Sequence, residues 1–105
     1  MTKAKTRVRG SRGGRPIMVL FDALGQRWTL RILWELREGP VTFRALRERC
    51  DDVSPTVLNG RLKTLRGMDL VALTEQGYVC TAWGQQLTAE LLRLHAWSER
   101  WAARR

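Results

Sequence analysis

Residues that do chemistry are scarce in this chain. His95 is the single histidine, and no carboxylate pair, phosphate-cradling glycine loop or nucleophile with a base stands at a working spacing, so an enzyme is not expected. Cys50 and Cys80 are the only cysteines, too far apart in sequence for the paired spacing of a zinc site and too few for a disulfide framework. They read as reduced structural thiols. A redox bridge between subunits stays open, but nothing in their flanks argues for an activated thiolate. No metal and no cofactor is implied. Long apolar runs are missing as well. The N-terminal positive charges are not followed by the apolar run of about seven or more residues that a signal peptide needs, and nothing approaches the roughly 20 residues of a membrane-spanning helix. A cytoplasmic protein without membrane contact is expected.

Acid is absent from the first fifteen residues, "MTKAKTRVRGSRGGR", which hold Lys3, Lys5, Arg7, Arg9, Arg12 and Arg15. The whole chain of 105 residues carries a net charge of +9, so two thirds of the excess lies in this segment and the remainder is only mildly basic. With three glycines and almost no large apolar side chain, the segment cannot bury enough surface to offset its ordering entropy. It reads as a disordered basic arm, residues 1–15, ahead of one small folded domain, residues 16–105. Such a basic balance attracts polyanions, nucleic acid above all.

Proline occurs three times, and each one punctuates the pattern. Pro16 suits a first helical position, with Ile17, Leu20, Phe21 and Leu24 following at helical spacing and Gly25 placed as a stop. "RWTLRILWELREGP" crowds Trp28, Leu30, Ile32, Leu33, Trp34 and Leu36 into one segment closed by Gly39-Pro40, which predicts a central helix buried on several sides. After the extended "VTF", Phe43, Leu46 and Cys50 recur at helical spacing. "DDV" then makes a tight connection to Ser54, a hydroxyl able to cap the next helix, with Pro55 at its first position. Helix, short turn and helix in this order are the helix-turn-helix signature, which functionless αα-hairpins share.

At 100° per residue the two faces of that second helix separate. Leu58, Leu62 and Leu65, extended by Val57, form the core side, while Thr56, Asn59, Gly60, Lys63 and Gly67 cluster opposite. The outer face has no acid and offers a hydroxyl, an amide, a missing side chain and an ammonium, a set suited to base edges and phosphates at close range. Gly60 lets a surface approach, although drift or a helix bend would explain the same glycine. Arg61 and Thr64 on one flank and Arg66 on the other suit phosphates better than bases, with a solvated helix flank as the plain alternative. Arg44 on the preceding helix joins these backbone candidates.

Val71 to Glu75 alternates as a strand, Gln76-Gly77 reads as a two-residue turn, and Tyr78 to Ala82 returns, so a β-hairpin follows the helix-turn-helix. Gln76, Gly77 and Tyr78 are the expected wing contacts. Leu87, Leu91, Leu94, Trp97 and Trp101 make one apolar stripe on a last helix from about Trp83 to Ala103. With Ile17, Leu20 and Phe21 of the first helix, this stripe reads as a dimer interface. The alternative is that it folds back on its own domain. The fold expected is mainly α with a small β-hairpin: a winged helix-turn-helix with N- and C-terminal dimerisation helices.

The run from Ala23 to Val71, with "YVCTAWG" after it, resembles the HxlR-type winged-helix transcription regulators of bacteria, relatives of the MarR group. The resemblance spans Pro16 to Trp101. Its most specific parts are Gly-x-[Lys/Arg]-Trp-Thr-Leu-x-Ile-Leu at Gly25 to Leu33, the "SP" helix start with Arg61-Leu62, and Tyr-x-x-Thr-x-x-Gly at Tyr78 to Gly84. It implies a cytoplasmic homodimer with each recognition helix in a major groove, wings near the flanking minor grooves, and terminal helices forming the dimer. Carried over residue by residue, it makes Ser54, Pro55, Thr56, Asn59, Gly60 and Lys63 the reading set, and Arg61 a phosphate or framing residue.

The sequence departs from that pattern in two places. Arg15 stands where the family often has a cysteine before the helix-opening proline, so thiol sensing by that route is unavailable. The family's wing is usually longer and often basic, whereas "TEQGY" has no Lys or Arg. The arm is a substitute source of positive charge, either following the DNA backbone or minor groove or serving as a nonspecific electrostatic tail. The function expected is sequence-specific binding of double-stranded DNA by a homodimeric transcription regulator on a pseudo-palindromic operator. The competing reading is a winged-helix protein-interaction module whose DNA affinity is mainly nonspecific. His95 is expected as a polar position on a dimer helix. Trp83, Trp97 and Trp101 could enclose a small effector, though no sequence feature supports one over plain packing.

Overall fold

The computed structural model describes residues 14–104, so the expectations placed on Lys3, Lys5, Arg7, Arg9 and Arg12 lie outside the described residues. Pro16 opens α1 (Pro16–Leu24) as its sequence position requires. Arg15 belongs to this helix rather than to an arm, because it is the N-cap and its carbonyl accepts from Met18 and Val19 at 2.9 and 3.0 Å. Gly25 ends α1 with φ −75, a right-handed conformation open to any residue.

The central helix α2 (Thr29–Glu35) is shorter and less enclosed than its apolar density predicts. Trp28 is its N-cap, held at φ 80, and carbonyl acceptors at Ala23 and Gln26 tighten the turn on both sides. Left-handed backbone in a bulky residue costs roughly 1–3 kcal/mol and persists only where packing imposes it. Thr29, Ile32, Leu33 and Leu36 are buried, but Leu30 is exposed and Trp34 half-buried under the Arg37 guanidinium. Burial on one side, not several, is the outcome, since Thr29, Ile32, Leu33 and Leu36 fall within about 100° of one another around the helix.

The helix α3 (Phe43–Arg49) is capped by Thr42, whose side chain accepts from the Ala45 N–H, and Cys50 closes it in full burial. Asp51 and Asp52 turn the chain at φ 58 and 57, a region short polar side chains tolerate. The turn is pinned by Arg47, whose Nε donates to the Val53 carbonyl at 2.7 Å. Next comes α4 (Pro55–Gly67), capped by Ser54 through its hydroxyl accepting from Val57 N–H at 3.1 Å. Leu58, Leu62 and Leu65 are fully buried against Ile32, Leu33, Leu36 and Leu46. Truncating one such leucine to alanine costs about 2–5 kcal/mol, so this face fixes how α4 is presented.

The wing differs from expectation by a shift of the turn. Strands β1 (Val71–Thr74) and β2 (Gly77–Cys80) pair antiparallel with Thr74 opposite Gly77, which leaves Glu75 and Gln76 as the loop. The Thr74 hydroxyl closes it, accepting from Gln76 N–H and donating to the Gly77 carbonyl. Gly77 is a strand residue because Val41 bridges to Tyr78 on the outer edge of β2; a Cβ at position 77 would stand 2.5 Å from the Val41 carbonyl oxygen. Thr81 is likewise not strand. It caps α5 (Ala82–Ala102), accepting from Gly84 N–H while donating to the Asp69 carbonyl.

Along α5, Gly84 and Thr88 are buried, and Leu87 and Leu91 lean on the core of their own domain. The first half of the apolar stripe is therefore partly covered by its own domain. Its second half is different: Leu94, Trp97 and Trp101 are each about half exposed, and so are Ile17 and Phe21 on α1, while Leu20 is half-buried. Among the described residues no helix is long and apolar enough to cross a membrane.

Candidate nucleic-acid interface

The capping of α4 and the burial of its leucines decide which side chains reach solvent. Ser54, Pro55, Thr56, Asn59, Gly60, Lys63 and Gly67 are exposed, so the expected reading set emerges on one open face. The Ser54 hydroxyl is engaged in the cap and serves α4 itself. No atom lies within 4 Å of a Cβ built at Gly60 or Gly67, so neither glycine is demanded by the chain's own packing. From Pro55 to Gly67 there is no acid, and among the described residues Arg61, Lys63 and Arg66 have no carboxylate within salt-bridge distance. Several arginines elsewhere do have one: Arg31 pairs with Glu35 at 2.9 Å, and Arg44 and Arg93 stand 3.9 Å from Glu48 and Glu90. The cations left uncompensated include those on the open face of α4 and its flanks.

The flanks are not alike. Arg66 and Lys63, with Gly67 and the strand residues Val71, Ala72 and Leu73, line an open cleft of about 580 Å³ between α4 and β1. On the other flank the Nε of Arg61 donates to the Arg27 carbonyl at 2.8 Å, so part of this guanidinium is committed to the turn before α2. Thr64 is exposed beside it, and Arg44 is almost fully exposed on α3.

The wing contributes less than expected. Gly77 and Tyr78 are buried, the tyrosine ring sitting 6.5 Å from Phe43, so of the three wing residues expected only Gln76 is open to a partner. Glu75 and Leu73 share that exposed tip. Arg27 is a further exposed cation next to this face. Its carbonyl meets Arg61 across 34 positions, a separation at which the sequence carries no local signal.

A second exposed surface is apolar. Trp97 and Trp101 stack at 6.1 Å with rings 11° from parallel, and Leu30, Trp34, Leu91 and Leu94 wall a cleft of about 370 Å³ between α2 and α5. His95 borders that cleft with its ring 5.5 Å from Trp34. Trp83 is also exposed, but fourteen residues of straight helix separate it from Trp97 by about 21 Å. Within one chain the three tryptophans therefore do not line one cavity. Both thiols lie in the core, where burial above all pushes them up from the usual cysteine range; at Cys50 the Arg31 charge opposes this only in part. Neither is an activated thiolate.

Comparison with known proteins agrees with this geometry. A family model described as HxlR-like helix-turn-helix matches residues 23–105. The uncharacterized HTH-type transcriptional regulator MJ0925 of Methanocaldococcus jannaschii is 27% identical over 88 residues, which are 80% of this chain and 83% of that protein. Quinone-bound YodB from B. subtilis superposes with a TM-score of 0.74 at 30% identity, covering 80% of this chain and 96% of the other. The reduced form of the transcriptional regulator YodB gives 0.70 at 28% identity, covering 85% and 95%. MJ0925 and YodB are both described as transcriptional regulators. With its helix-turn-helix, two-stranded wing and flanking helices, the chain belongs to the HxlR-like helix-turn-helix family of DNA-binding transcription regulators.

Proposed function

We propose that this protein is a cytoplasmic homodimer that binds a pseudo-palindromic operator, with one α4 in the major groove of each half-site. The observation that carries the reading is the open, acid-free face of α4, where Thr56, Asn59, Gly60 and Lys63 have no intramolecular role among the described residues. A helix about 10–12 Å across fits a major groove about 12 Å wide, and this face offers hydrogen-bonding groups of the kinds that read base edges. Arg66 and the cleft beside β1 suit one phosphate strand. Exposed Ile17, Phe21, Leu94, Trp97 and Trp101 supply an apolar surface that a second copy covers. A two-fold dimer then sets half-sites about 34–36 Å apart or at multiples of that spacing.

Binding of the full chain to duplex selected from its own genome, against random duplex over a salt series, tests this reading. Preference of about a thousandfold or more, by a species that sediments as a dimer, is the expected result. Equal binding to all duplexes after such a selection would favour a protein-interaction module with nonspecific DNA affinity.

A further inference from the structure

We infer that the turn before α2 is a second phosphate-binding element, in which Arg27 contacts the DNA backbone and Arg61 positions it. This rests on the reading of α4 as the recognition helix. A helix seated in the major groove has a phosphate strand along each side, so both of its flanks meet negative charge. On one flank stand Lys63 and Arg66, beside the cleft against β1. On the other, Arg61 is the only cation that α4 itself provides, and its Nε is held by the Arg27 carbonyl at 2.8 Å. That bond fastens the turn of residues 25–28 along the flank.

Arg27 is exposed there, and among the described residues it has no carboxylate within salt-bridge distance. Its guanidinium lies 5.5 Å from the Trp28 ring, a contact that restrains the side chain while leaving its donors open. Trp28 next to it has the left-handed backbone, at φ 80, which reverses the chain into α2 at this point. Positive charge on the second flank is thus assembled from two elements, Arg27 from the turn and Arg61 from α4. It requires no basic wing.

The test uses the full chain, the selected operator and random duplex, with affinities followed from 50 to 200 mM salt. Each phosphate contact contributes about 0.9 to the slope of log K against log salt, so Arg27→Gln in a dimer lowers the slope by about 2. Over this fourfold rise in salt the variant loses about tenfold less affinity than the parent chain. Its loss at low salt is similar for operator and random duplex, its melting temperature is unchanged, and Arg27→Lys keeps the parental slope. An unchanged slope in Arg27→Gln, with operator preference intact in the parent, overturns this inference alone. Equal slope loss in Arg27→Lys also overturns it, because stacking on Trp28 rather than charge would then be responsible. Absence of salt-dependent duplex binding by the parent overturns both this inference and the recognition-helix reading. For Arg61 the readout is coupling: Arg61→Gln shifts the slope less in the Arg27→Gln background than in the parent, and strict additivity overturns its positioning role.

Discussion

Gly60→Ala sets stability against function at a single atom. Gly60 lies in the interior of the thirteen-residue α4, is exposed, and a Cβ there meets nothing within 4 Å. Glycine at such a helical site costs roughly 0.5–1 kcal/mol relative to alanine, so the free protein gains about that much in urea or thermal unfolding. A gain of this size raises the melting temperature by on the order of 4 °C. Operator binding moves the other way. If bases or backbone approach α4 closely at Gly60, a methyl group displaces a contact worth about 1–3 kcal/mol, a roughly 5- to 150-fold loss per half-site. Fluorescence anisotropy with operator and random duplex reads the second effect, and urea titration reads the first. A less stable variant would refute the open-space geometry. A more stable variant with unchanged operator affinity would refute close approach and leave Gly60 as an accident of the helix.

Asn59→Ala should leave stability within about 0.5 kcal/mol, since the side chain is exposed and makes no hydrogen bond among the described residues, while operator preference over random duplex falls about 5- to 150-fold. A uniform loss across all sequences would contradict its place on the reading face. Gly84→Ala should destabilise by about 3 kcal/mol in urea unfolding, because its Cβ would collide with the Leu70 carbonyl oxygen and stand 3.2 Å from the Cys80 Cβ; a neutral variant would dispute the docking of α5 on the hairpin. Burial raises the Cys50 and Cys80 thiols, so the folded state favours their neutral form. Their contribution is fully present below the unfolded-state value of about 8.5 and is lost as pH rises through the folded value. Unfolding free energy should therefore decline in alkaline solution, less steeply in Cys50→Ala and Cys80→Ala, and a disulfide reagent at neutral pH should react only after unfolding. Fast labelling of the native protein would refute this.

Several expectations failed where a distant neighbour decided the outcome. Gly77 has the look of a turn residue, yet Val41, from before α3, approaches β2 so closely that glycine is needed within the strand and the turn moves to Glu75-Gln76. Tyr78 was expected at the wing surface, but pairing with Val41 and contact with Phe43 bury it. Leu87 and Leu91 belong to an unbroken apolar stripe, and a stripe alone does not say whether its own domain or a second copy covers it. In α2, apolar density suggested enclosure, whereas the left-handed Trp28 shortens the helix and leaves Leu30 outside.

What the sequence by itself determined is whatever local chemistry imposes within about one helical turn to a few. Ser54-Pro55 starts α4, the spacing of Leu58, Leu62 and Leu65 selects its buried side, and the outward set from Thr56 to Gly67 follows from that choice. The order helix, turn, helix, hairpin and long helix was legible for the same reason, because caps, prolines and periodicity act between near neighbours. Only the tertiary structure decided which cations stand along the flanks of α4 and which apolar residues stay uncovered. Those outcomes depend on pairs such as Arg61 with Arg27 and Gly77 with Val41, distant in sequence, whose meeting is set by core packing and not by any local propensity.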